Sequence, residues 1–382
     1  MKKVLFISDV PSHPIQGGNL QSMQAYIDML KELDFEVYFF FGYNFFYCPA
    51  FYVEGTRKYW GNHFLYYKQP LFMALIQFFI RKADRFIQKM TKNYKYKIKT
   101  HYLFGMNKVL KRTREKHQFD IIFINYIWNT EACKIFPKTK KVLFTHDAFS
   151  SSFYKNRDHN FFSTSETEEA KALNRCDAIL SVQENESKYF RSLTNKKVYT
   201  SYSPIKGYNT PFSGNKNVLY LGSNNSFNIE SIHEFMKCVF PLLQTKIPEV
   251  KILIAGSICD SFDKTLQGAN VILLGKVQDV ASFYAMGDIV INPTKTGSGL
   301  KIKSIEALAY NKVLISHPHS IEGLYDIDNL PIIIASTPPE YTNEIVELFG
   351  NPLKIKQIKE NTAKYMNNYN QFVKEQIKKA FA

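Results

Sequence analysis

Apolar runs recur along the chain, and most are continuous rather than alternating. In the first half they are KVLFIS (3–8), EVYFFFGY (36–43), DIIFINY (120–126), KVLFTHD (141–147) and DAILSV (177–182). Strands buried on both faces of a parallel sheet have this form, because neither face meets water. Between the first two runs, SDVPSHPIQGGN carries Pro and Gly, and a helical pattern follows from Leu20 to Leu33. Strand, glycine loop, helix, strand is the order of a βαβ unit. Residues 201–217, SYSPIKGYNTPFSGNKN, have a linker's composition. Beyond them the alternation restarts with NVLYLGS (217–223), a helical segment over 228–244, VKILIAGS (250–257) and NVILLGKV (270–277). A short helix, DIVINP (288–293), TGSGLKIKSIEALA (296–309) and KVLISH (312–317) complete the second set. The pattern predicts an α/β protein of two Rossmann-like domains, residues 1–205 and 206–360, followed by a basic helix over 361–382. Ligands of such sheets bind beyond the strands' carboxyl ends, so a cleft between the two domains is the expected site.

The block 56–117 interrupts the first domain and is expected to be an insertion of helices. It is basic and aromatic: from Arg81 to Lys116 only Asp84 and Glu115 oppose a dense run of Lys and Arg. Arg81, Arg85, Gln88 and Lys92 recur at helical spacing, with Phe79, Ile80, Phe86, Ile87 and Met90 as apolar neighbours. Such a helix fits an anionic membrane surface, with charge as the anchor, and it also fits an ordinary solvated lysine-rich face. The net charge of +15 points the same way, toward a polyanionic partner. No nucleic-acid-binding motif accompanies the charge, so nucleic acid is not the expected partner. The longest apolar stretch, PLFMALIQFFI (70–80), is shorter than the roughly 20 residues that span a bilayer. The start, MKKVLFISDV, ends its apolar run in Asp9 and shows no cleavage site. A cytoplasmic protein, peripheral to the inner face of the membrane, is expected. The five cysteines have no metal-ligand spacing.

TGSGLKIKSIEALA carries the clearest chemistry. Gly297 and Gly299 permit a close backbone approach, and a helix opening near Leu300 would present free N–H groups to an anion. On that helix Lys303 and Glu306 share a face with Gly299, while Lys301 points elsewhere. A lysine for phosphate and a carboxylate one turn deeper suit a nucleotide, with Glu306 accepting from both ribose hydroxyls. The spacing also fits a plain surface Lys–Glu pair.

The second half resembles the C-terminal domain of group 1 glycosyltransferases, retaining enzymes of the two-domain GT-B fold. The resemblance is carried by NVLYLGSNNSFNIESIHEF (217–235), EVKILIAGS (249–257), NVILLGKVQDVASFYAMGDIVINP (270–293) and TGSGLKIKSIEALAYNKVLISHPHSIEGL (296–324), in the family's order. It implies that Glu306 holds the nucleotide ribose, that Lys303 binds the diphosphate, and that Ser298, Gly299 and Leu300 cradle it with Lys301 assisting. Gly275, Lys276 and Val277 would line the base pocket, Gly222 the turn after the domain's first strand, and Glu322 with Gly323 a further contact. In the first half, Gly17 and Gly18 match the family's glycine loop near the diphosphate and acceptor, and His146 and Asp147 stand where relatives touch the donor sugar. His146, Lys303 and Glu306 are thus the expected catalytic residues. The resemblance implies a nucleoside diphosphate sugar as donor, a glycan or lipid-linked acceptor, and neither cofactor nor metal. Two departures stand out. Ser298 replaces a second glutamate found in many relatives, and the loop SNNSFN (223–228) lacks their Arg…Lys pair. A nucleotide-sugar-modifying enzyme such as an epimerase, or a non-catalytic subunit of the same fold, are the alternatives these departures leave open.

Overall fold

β1 (Lys3–Ser8) is buried from Val4 onward, and it takes the centre of a parallel sheet because neither of its faces offers a polar side. A computed structural model describes residues 1–15, 18–91, 96–150, 163–263, 265, 267–296 and 302–382. Two compact units make up the chain: residues 1–204 with 372–382, and residues 205–371.

In the first unit β1 is followed by α1 (Gly18–Glu32), β2 (Glu36–Tyr43), α2 (Ala50–Trp60), β3 (Phe64–Lys68), α3 (Leu71–Thr91), α4 (Met106–Lys116), β4 (Ile121–Asn125) and β5 (Lys140–Phe144). α5 (Glu166–Asn174), β6 (Ala178–Ser181), α6 (Glu184–Leu193) and β7 (Lys197–Thr200) complete it. The seven strands lie in the order β3-β2-β1-β4-β5-β6-β7, all parallel. Phe6, Phe39, Phe123 and Phe144 pack on one side of this sheet, where Phe381 closes edge-on against Phe123 at 5.1 Å.

The second unit runs β8 (Asn217–Leu221), α7 (Ser226–Cys238), α8 (Phe240–Lys246), β9 (Lys251–Ala255), β10 (Val271–Gly275) and α9 (Val280–Tyr284). Then come β11 (Ile289–Asn292), α10 (Ile302–Ala309), β12 (Val313–Ser316), β13 (Ile333–Ile334), α11 (Pro338–Gly350) and α12 (Pro352–Phe381), whose last turns belong to the first unit. Its sheet order is β10-β9-β8-β11-β12-β13, again parallel. Both units therefore have the doubly wound α/β topology that the sequence pattern predicts.

The structure corrects four local expectations. The block 56–117 is not helical throughout, because FLYYK forms β3 and pairs with β2 at the sheet edge. The run expected as a strand to Asp147 stops at Phe144, and His146 turns away at φ +61°. The single helix expected over 228–244 is two: Pro241, near the start of α8, has no N–H to continue α7 past Val239. In α3, Arg81 and Gln88 do not present a charged face to the surroundings. Gln88 is buried, and Arg81 Nε and Nη2 donate to the Thr100 and His101 carbonyls at 3.0 and 2.8 Å. Lys92 lies outside the described residues.

Candidate functional site

In each sheet the strand order reverses once, and the crevice outside the carboxyl ends at that point is where doubly wound folds bind ligands. In the second unit the reversal falls between β8 and β11. Lys303, on α10, straddles it. Its Nζ donates to Asn228 Oδ1 at the start of α7 and to Thr294 Oγ1 just after β11, both at 2.8 Å, and to the hydroxyl of Tyr220 on β8 at 3.4 Å. The ammonium also sits 5.0 Å from the Tyr220 ring centroid. These contacts, to three neutral oxygens and a π face, fix where the ammonium points.

A polar ladder fixes α10 beneath that lysine. Thr294 Oγ1 donates to Asn292 Oδ1 (2.9 Å), Asn292 Nδ2 to Ser304 Oγ (2.7 Å), and Ser304 Oγ to the Ser320 carbonyl (2.9 Å). Every member is buried, so these bonds have no water to compete with. On the other side Asn228 Nδ2 donates to the Ser223 carbonyl at 2.9 Å, tying the SNNSFN loop to the same network. Asn225 caps α7 by accepting from Asn228 N at 2.9 Å. Lys303 thus converges on the capped start of α7, beside the loop that carries no base.

Glu306, one turn along α10, is half-buried and accepts from the Tyr284 hydroxyl at 3.0 Å. Burial raises its pKa, and the Tyr284 bond opposes that rise. Tyr284 stacks on Tyr310 at 4.5 Å and Tyr310 on Tyr208 at 4.4 Å, so an aromatic column backs the carboxylate. Around the crevice, Gly222, Gly256 and Gly275 end β8, β9 and β10. Gly256 donates to the Gly275 carbonyl at 2.7 Å, and Gly222 to the Ala255 carbonyl at 3.0 Å. Gly256 has φ +98°, and a Cβ there would stand 2.1 Å from the Gly222 carbonyl oxygen, so only glycine fits. Lys276 is exposed and Val277 half-buried beyond β10. Glu322 is exposed, with Oε2 3.3 Å from His319 Nδ1. Ser298, Gly299, Leu300 and Lys301 lie outside the described residues, as does Gly17.

In the first unit the reversal falls between β1 and β4. Asn125 Nδ2, ending β4, donates to Ser8 Oγ of β1 at 3.0 Å, and Asn125 Oδ1 lies 2.6 Å from His146 Nε2. Ser8 donates to the Val10 carbonyl (2.7 Å), so Asn125 must donate to Ser8 and accept from the imidazole. That assigns the proton to Nε2 and leaves Nδ1 as an acceptor. His146 is packed between Tyr126 (4.3 Å) and Phe144 (3.8 Å), and burial pushes its pKa down to about 3. The imidazole is neutral and cannot act as a cation here. Asp147 beside it is half-buried, and Gly18 opens α1.

Reading residues by sequence missed Asp9 and Asn125. Asp9 follows β1 and accepts from Trp128 Nε1 (2.9 Å) and Asn129 Nδ2 (2.8 Å). Burial raises its pKa. The signal was available: both residues are polar groups ending strands that flank the reversal.

Residues 215–351 match the family model described as "Glycosyl transferases group 1". This part of the chain is a group 1 glycosyl transferase domain. Lys303, Glu306 and the three glycine turns all lie inside it. An uncharacterized 44.6 kDa protein in the cps region of Klebsiella pneumoniae is 24% identical over 168 residues, covering 41% of this chain and 43% of that protein. The chain thus spans under half the length of that curated relative. Solved structures match over nearly the whole chain. S. aureus TarM, as a mutant with fondaparinux, α-GlcNAc-glycerol and UDP, has a TM-score of 0.63 at 12% identity, covering 100% of both chains. Anabaena HepE with UDP-glucose gives 0.61 at 14%, covering 99% and 100%. The lipopolysaccharide outer core galactosyltransferase WaaB gives 0.59 at 13%, covering 100% and 99%. The glycosyl transferase domain and the unit preceding it together have the GT-B fold.

Proposed function

We propose that the protein is a retaining glycosyltransferase that moves a sugar from a nucleoside diphosphate sugar to a lipid-linked or growing surface glycan. The observation that carries this reading is Lys303, held across the β8/β11 reversal with Glu306 one turn away, inside a group 1 glycosyl transferase domain. In this reading Lys303 and the helix starts beside it bind the donor diphosphate. Glu306 accepts from the ribose hydroxyls. The bond from the anomeric carbon to the diphosphate oxygen breaks with its electron pair leaving on the phosphate. The acceptor hydroxyl attacks from the same face and passes its proton to the departing phosphate oxygen. The protein's work is to stabilise that growing negative charge and to position the partners. His146, neutral, offers a hydrogen bond acceptor at Nδ1 to a sugar hydroxyl.

The cps-region relative and the lipopolysaccharide galactosyltransferase support a surface-glycan acceptor, and the UDP complexes support a nucleotide-sugar donor. The reaction proceeds without metal, in the cytoplasm, where the net charge of +15 draws the protein to the anionic inner leaflet. Incubation with a panel of nucleotide sugars, with and without EDTA, tests this. Release of nucleoside diphosphate from one sugar, unchanged by EDTA, is expected. No release and no nucleotide binding across the panel overturns it.

A further inference from the structure

α3 turns Gln77, Arg81 and Gln88 inward, while Arg85 on the same side of the helix stays exposed. At about 100° per residue, Ala74, Gln77, Arg81, Arg85 and Gln88 share one side of the helix. Gln77 Nε2 donates to the Thr100 and Tyr102 carbonyls at 2.9 and 2.8 Å, beside the Arg81 bonds to Thr100 and His101. Arg85 Nε reaches the Tyr96 hydroxyl at 3.4 Å. The opposite side is apolar and open: Phe72, Ile76, Phe79, Phe86, Ile87 and Met90 are between 52% and 71% exposed. Surface helices of globular proteins show the reverse arrangement, and a contiguous exposed apolar stripe marks an interaction surface. The stripe continues onto the loop after β2, where Phe46, itself exposed, stacks on Phe78 at 4.9 Å. Lys82 and Lys89, both exposed, run along one border of the stripe.

We infer that this face of α3 inserts into the lipid–water interface of an anionic bilayer, with the helix lying in the membrane plane. Acyl chains take the phenylalanines, and the two border lysines meet the headgroups with opposite charge. Among the described residues no helix is long and apolar enough to cross a membrane. The inference rests on the membrane part of the proposed function and changes its physics: attachment is by apolar insertion, with charge as an aid.

Flotation of the full chain with phosphatidylcholine vesicles, with and without phosphatidylglycerol, tests it. Wild type is expected to float with the anionic vesicles and to stay largely bound in high salt, which screens charge and spares apolar contacts. F79S/F86S changes two exposed side chains and is expected to lower the bound fraction at least tenfold, and K82A/K89A about fivefold per lysine. Unchanged thermal stabilisation by nucleoside diphosphate shows that F79S/F86S is folded. Failure of that nucleotide response in wild type would count against the donor site alone, since flotation needs no nucleotide. The inference is overturned if wild type does not float, if F79S/F86S floats equally, or if salt strips wild type completely. It is also overturned if wild type is a dimer that F79S/F86S makes monomeric while neither binds vesicles.

Discussion

Replacing Lys303 with alanine probes the phosphate role directly. Its Nζ is already poised by two bonds of 2.8 Å and one of 3.4 Å to neutral oxygens, so little ordering remains when an anion arrives. A bond from this ammonium to a diphosphate oxygen contributes about 1.5–3 kcal/mol. The bare Coulomb attraction at about 4 Å with an effective dielectric near 20 is about 4 kcal/mol, which places the upper figure below that limit once desolvation is counted. Lys303→Ala should therefore weaken nucleoside diphosphate binding about 10- to 150-fold, while binding of the bare nucleoside changes less than about twofold. The variant also loses neutral hydrogen bonds within the domain, about 1 kcal/mol each, so affinity must be measured by isothermal titration on protein whose folding has been checked by circular dichroism. Equal loss for nucleoside and diphosphate, or no loss for either, would refute the reasoning.

Glu306→Gln should remove one anionic acceptor from the ribose. Wild type is expected to prefer the ribonucleotide over its 3′-deoxy analogue by about tenfold, and the variant to lose most of that preference; titration showing equal discrimination in both proteins sinks the assignment. Gly256→Ala places a methyl 2.1 Å from the Gly222 carbonyl at φ +98°, and urea denaturation should show a loss of about 2–4 kcal/mol; a loss under about 0.5 kcal/mol contradicts the close packing of the glycine turns. Glu169 is fully buried, accepts from the Phe149 and Ser150 amides at 2.7 and 3.1 Å, and has its carboxyl pushed up to about 7 by burial. Because its folded pKa is raised, its contribution is fully present below about pH 4.5 and is lost as pH rises through 7, up to about 3 kcal/mol. Wild type should lose that much more stability than Glu169→Gln between pH 5 and pH 8, and identical pH profiles would exclude it.

Strands were legible wherever a continuous apolar run met no competing pattern, as in KVLFIS and KVLIS. β3 was hidden because FLYYK sits in a block whose charge and aromatic content dominate its alternation. β7, KVYT, is an edge strand that is largely not buried and so has no continuous apolar run, and β13 is too short for a period to emerge. Periodicity in α3 was visible, but a period does not say which face turns inward. That choice is made by the carbonyls of residues 100–102, which take Gln77 and Arg81. At the site, Lys303 and Glu306 could be placed on one helical face from spacing alone. The partners that define their work, Asn228, Thr294, Tyr220 and Tyr284, come from four other segments, and only the sheet order brings them together. Asn125 escaped notice for the same reason, since its meaning depends on Ser8 and His146.

The stereochemistry of the transferred sugar separates front-face transfer from its alternatives. With the accepted nucleotide sugar and a soluble acceptor, proton NMR of the product reads the anomeric configuration from the coupling at the transferred sugar. The proposed front-face transfer predicts the donor's configuration in the product. An inverted product would contradict front-face transfer, and an isomerised nucleotide sugar with no glycoside formed would contradict a glycosyltransferase altogether.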